Sequence, residues 1–69
     1  MAQRDLRRIQ RLAARLEQAR VELRDAILAA HDSGESIRDI APYAGMSPSR
    51  VHELLAEARQ AASEDPPNG

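Results

Sequence analysis

The chain has 69 residues, no cysteine, one aromatic residue and a formal net charge of -1, which sets it near the lower size limit for a domain that folds alone. Its apolar set is thirteen Ala with seven Leu, four Ile, two Val, two Met and Tyr43, so the core is expected to be thin and to be completed by a second chain. So few large side chains cannot wall an enclosed pocket, and no catalytic residues are expected. Without cysteine there are no disulfides, no thiolate catalysis and no cysteine-ligated zinc, which leaves the cytoplasm as the expected location. No apolar run approaches the roughly 20 residues of a membrane span, and the opening MAQRDLRRIQRL has no continuous apolar stretch of the signal-peptide kind. A soluble chain with no membrane partner is expected.

The charge is unevenly spread. Residues 1 to 24 carry seven Arg against three acids, and residues 25 to 69 carry three Arg against eight acids. A basic arm on an acidic body calls for an anionic partner, or for the acidic half of a second copy.

Residues 6 to about 30 contain no Gly or Pro and are rich in Ala, Leu, Arg, Glu and Gln, which predicts one long helix. Along it, Leu6, Ile9, Ala13, Leu16, Arg20, Leu23, Ile27 and Ala30 alternate spacings of three and four, a heptad seam apolar everywhere except Arg20. Leu12, Ala19 and Ala26 widen the stripe, while Val21 and Leu28 add a second apolar face only in the C-terminal half. That half is expected to pack on the later helices. The N-terminal half, through Leu6, Ile9, Ala13 and Leu16, is expected to form a coiled-coil homodimer, parallel or antiparallel. Arg4, Arg8, Arg11 and Arg15 recur at steps of four, three and four away from the seam, a basic ridge suited to phosphate contacts or simply to a solvated face.

Gly34 suits a left-handed helix stop. Ser36 with Asp39 three residues on reads as a capping box opening a second helix, which Gly45 ends. Ser47 is the next N-cap with Pro48 at the first helical position, and the third helix is expected from 48 to about 62. Residues 63–69, SEDPPNG, read as a disordered tail. The expected organisation is a basic helical arm over 1–20, a folded domain over 21–62 and the tail over 63–69.

Within residues 37–56, IRDIAPYAGMSPSRVHELLA, a small Ala41 is followed four residues later by Gly45 and six further on by Val51, with Ile40, Ala44, Met46 and Leu54 at the intervening apolar places. The segment resembles the helix-turn-helix of DNA-binding regulators, including the homeodomain-like bacterial versions found in resolvases and sigma-factor C-terminal regions. Each marker has a cause: Ala41 lets two helices approach where they cross, Gly45 supplies a positive φ, and Val51 and Leu54 point into a small core with Ile40, Met46, Leu23 and Ile27. The end of the long helix would supply the third wall, giving an all-α fold, a long N-terminal helix followed by a trihelical helix-turn-helix. Pro42 departs from the pattern and is expected to shorten or kink its helix, with Tyr43 beside it half buried.

By this resemblance the third helix enters the major groove of double-stranded DNA, with Ser47, Ser49, Arg50, His52 and Glu53 facing bases. Arg50 can take guanine bidentately, Glu53 can accept from cytosine, Ser49 suits a base or a phosphate, and His52 can donate or accept. The plainer alternatives are that Arg50 pairs with Glu53 or Glu57 on the helix surface and that Ser47 is only a cap. His31 and His52 have no second ligand nearby, so no metal or other cofactor is expected. Ser49 and His52 lack a third residue and oxyanion donors for hydrolysis. The resulting expectation is a small dimeric DNA-binding regulator or accessory factor. Its rival is a protein-interaction module whose acidic third helix or basic arm docks on a polymerase subunit, a recombinase or another regulator.

Overall fold

The computed structural model describes residues 2–63, folded as α1 (Ala2–Asp32), α2 (Ile37–Ala44) and α3 (Pro48–Ser63). The fold is all-α, with a long first helix and two shorter ones. At 1.5 Å per residue, the 31 residues of α1 span about 46 Å. Every residue from Gln3 to Ala19 is exposed, and burial begins only at Arg20. The first half of α1 is therefore a helical arm with nothing beneath it among the described residues.

Both helix stops are glycine caps of one design. At the end of α1, Gly34 (φ 112°) donates its N–H to the His31 carbonyl at 3.0 Å and Glu35 donates to the Ala30 carbonyl at 3.1 Å. At the end of α2, Gly45 (φ 70°) donates to Pro42 at 3.3 Å and Met46 donates to Ala41 at 3.2 Å. These nested bonds satisfy carbonyls that the helices leave open. The starts are capped by serine: the Asp39 N–H donates to Ser36 Oγ and the Arg50 N–H to Ser47 Oγ, each at 3.1 Å. Pro48 opens α3, where its missing N–H loses no helical bond.

Pro42 does not interrupt α2, which continues through it to Ala44. The one helical bond it forfeits would end on the carbonyl of Arg38, and both residues are exposed, so water can serve that carbonyl. Gly45, not Pro42, sets the eight-residue length.

The core sits where the three helices meet. Ile27 of α1, Ile40 and Ala41 of α2, and Val51, Leu54 and Leu55 of α3 form one buried cluster, and Ala58 is buried as well. On α3 these buried places follow the i, i+3, i+4, i+7 stripe of an amphipathic helix. Ala41 is 3% exposed, consistent with a site where a larger side chain would push the helices apart. Leu28, Ala30, Ile37, Ala44 and Met46 pack at the edge.

Two expectations about burial are corrected. Leu23 is not a core residue: it stays 37% exposed and lines an open groove between α1 and α2. Tyr43, expected to be half buried, is 94% exposed, because the packed side of α2 is defined by Ile40, Ala41 and Ala44 and leaves position 43 on the outer flank. At the other end, α3 includes Ser63, whose hydroxyl donates to the Arg59 carbonyl at 2.9 Å. The expected tail over 64–69 lies outside the described residues.

Candidate nucleic-acid interface

With Val51, Leu54, Leu55 and Ala58 turned inward, the helical period leaves Ser49, Arg50, His52 and Glu53 on the open side of α3, and Ser47 stands just before it; all five are exposed. The start of α3 thus offers short polar side chains, one guanidinium and the positive end of a helix dipole on one surface. Ser47 is a cap whatever the helix binds, since its Oγ already accepts the Arg50 N–H. Arg50 Nη1 lies 3.0 Å from Glu53 Oε1, one turn away, so the surface pairing expected as the plainer alternative is present. Exposed pairs of this kind contribute little, and a base edge or phosphate can displace the carboxylate.

Taken whole, α3 is not the acidic helix expected. Its described residues hold two Arg and two Glu, and each charge has a partner. Arg20 Nη1 meets Glu57 Oε1 at 3.2 Å, and Arg59 Nη2 lies 3.3 Å from Asp32 Oδ1 and 3.2 Å from His31 Nδ1. These bonds tie α3 to α1.

They also explain the polar break in the seam. Arg20 stands where α1 passes from free arm to packed helix, and it clamps Glu17 of its own helix, Nε to Oε1 at 3.2 Å, while reaching Glu57. Its hydrogen bond and charge hold the Glu17 carboxyl below its ordinary value of 4.5, and Glu17 and Glu57 in turn raise Arg20. Glu17's small contribution is present above that ordinary value and is lost as pH falls through the lowered one.

The arm differs from the body in one respect. Arg20, Arg24, Arg50 and Arg59 all form ion pairs. Among the described residues, Arg4, Arg8, Arg11 and Arg15 form none, and neither does Arg7. Arg7 lies outside the ridge that the 4, 8, 11, 15 spacing predicts. The structure groups it with Gln3, Arg4 and Arg11 around a shallow concave face, and the signal for it in the sequence is the 4, 7, 11 spacing, a second row on the same helix. Arg38 on α2 is likewise exposed and unpaired among the described residues. No hydrogen bond or ion pair among the described residues joins the arm's arginines to the start of α3. Where α1 meets α3 through Arg20, it does so at Glu57, about 10 Å along the axis beyond Arg50.

Three helices, with the second and third joined by a glycine turn, make this a helix-turn-helix protein. A family model described as a helix-turn-helix domain matches residues 7–62, and the chain belongs to that family. Searches of the curated proteins and of the solved structures gave no match. Membership points to DNA as the partner. Among the described residues no helix is long and apolar enough to cross a membrane, and no group of His, Asp or Glu is arranged to hold a metal.

Proposed function

We propose that the chain is a small dimeric regulator or accessory factor of the cytoplasm that binds double-stranded DNA, reading bases with the start of α3 and neutralising phosphates with the arm. The carrying observation is the contrast between body arginines that are all engaged by carboxylates, Arg38 apart, and five arm arginines that have no partner among the described residues. Unpaired guanidiniums in a helix-turn-helix chain suit phosphate oxygens, which supply most of the affinity of such complexes but no sequence information. Ser49, Arg50, His52 and Glu53 are then the reading set, with Ser47 positioned for a backbone contact.

Fluorescence-anisotropy titration of one genomic and one scrambled duplex over a salt series tests this. Binding that weakens steeply with salt and prefers some genomic sequences is expected. Failure of both duplexes to bind more tightly than about 10⁻⁴ M near physiological salt overturns it. The rival then takes over, a protein-docking module, favoured by the internally compensated charge of α3.

A further inference from the structure

We infer that two copies of the chain associate antiparallel, the arm of each lying in the groove between α1 and α2 of the other. The inference rests on the dimeric reading above and adds to it the direction, the register and the receiving surface.

The open groove offers about 390 Å³. Its α1 wall is Leu23, Ala26 and Ala30, and Ile40 and Ala44 of α2 close the other side. Glu35, Asp39 and the exposed ring of Tyr43 stand at its rim. The occupant must be apolar on one side and basic on its flanks. The arm has both properties: Leu6, Ile9, Leu12 and Leu16 are 48% to 72% exposed, and residues 4–15 carry five Arg against the single acid Asp5. Among the described residues the side chains of Glu35 and Asp39 form no ion pair, and neither do the five arm arginines. Two of the five arm arginines suffice for the two acids of the groove, Glu35 and Asp39, and the other three stay open to phosphate.

The spacing then limits the register to steps of one heptad, and the step that brings the arm's first turns to the acid end of the groove is the one inferred. Ile9, Leu12, Leu16, Ala19, Leu23, Ala26 and Ala30 alternate steps of three and four, so the arm's apolar stripe and the groove's α1 wall are one continuous line on one helix. Laid antiparallel on itself, that line sets Leu12 opposite Leu23 of the second copy, Ile9 opposite its Ala26 and Leu16 opposite its Ala19. Large side chains meet small ones in two of the three layers. The acid end of the groove lies at Ala30, because the Glu35 N–H bonds the Ala30 carbonyl at 3.1 Å. In this register residues 4–8 of the second copy arrive there, three Arg with the single acid Asp5. A parallel pair would instead set two arginine-rich arms side by side and leave both grooves open.

The chain has no native cysteine, so single cysteines report the geometry cleanly. Chains carrying Leu12→Cys and chains carrying Leu23→Cys, distinguished by a mass tag, are mixed and oxidised, with wild-type sedimentation equilibrium at tens of micromolar run in parallel. The expected result is a dimer in which the mixed Leu12→Cys and Leu23→Cys disulfide exceeds its statistical share and both like pairs fall below theirs. Dominance of the like Leu12→Cys disulfide in a chain that sediments as a dimer overturns the antiparallel seating and leaves the dimeric reading standing. A monomer with no disulfide above the random level overturns both. Both replaced residues are exposed, and thermal unfolding of each variant by circular dichroism, expected near the wild-type midpoint, separates lost association from lost fold.

Discussion

Gly45 is the residue on which the helix-turn-helix geometry turns. Its φ of 70° lies in the left-handed region, and a Cβ added there would meet nothing within 4 Å. The penalty for a side chain is therefore backbone strain alone, about 1 to 3 kcal/mol for an ordinary residue. Gly45→Val should lower the melting temperature, and Gly45→Asn should lower it less, because Asn tolerates the left-handed region. Thermal unfolding that does not distinguish Gly45→Val from wild type would remove the turn assignment. At Arg50 the effect should be on binding and not on folding. Arg50→Ala is expected to cost about 1 to 3 kcal/mol on the preferred duplex and to relax preference at one base position, with binding to a scrambled duplex nearly intact in anisotropy titrations. At this scale most of the structure is legible in the sequence, because cap chemistry is local. Ser36, Ser47, Gly34 and Gly45 each act through bonds within five residues along the chain. Tyr43 is not legible, since its exposure depends on which side of α2 the other two helices cover.

At the scale of the helix, α1 joins two environments in one unbroken element. Beyond Arg20 it packs through Ile27 and is tied to α3; before Arg20 it is bare. The heptad spacing predicts the apolar stripe, but periodicity describes a face and not what covers it. Leu23 therefore reads as core in the sequence and lines the groove in the structure, whereas Leu55 and Ala58, which are not markers of the motif, complete the buried stripe begun by Val51 and Leu54. The charge pattern has the same limit. It yields the arginine ridge, while the three-dimensional pairing divides engaged from free guanidiniums. That division carries a prediction: Arg8→Ala combined with Arg11→Ala should weaken binding to genomic and scrambled duplexes alike and flatten the salt dependence by about one unit for each phosphate no longer neutralised. A loss confined to the genomic duplex would mean that the arm reads sequence, and an unchanged salt slope would exclude it from the phosphate interface.

At the scale of the molecule, a thin core and a long bare arm belong to one design. The buried cluster of α1, α2 and α3 is small, and the arm's apolar surface is covered by none of the other described residues, so a second copy is the simplest source of cover. Leu16 separates this association from the fold, because at 72% exposed it lies outside the chain's own core. Leu16→Asp should leave the three-helix domain folded, with a circular dichroism spectrum close to wild type. In a dimer it would bury an unpaired carboxylate, a severe penalty for association. The sedimenting mass is therefore expected to fall from about twice 7.6 kDa to that of one chain, and DNA affinity with it, since a monomer brings one reading helix and one arm where the dimer brings two. An unchanged dimer would place the interface away from the arm. A variant that loses helicity together with association would mean that the isolated chain does not hold its fold and that the dimer is the folding unit.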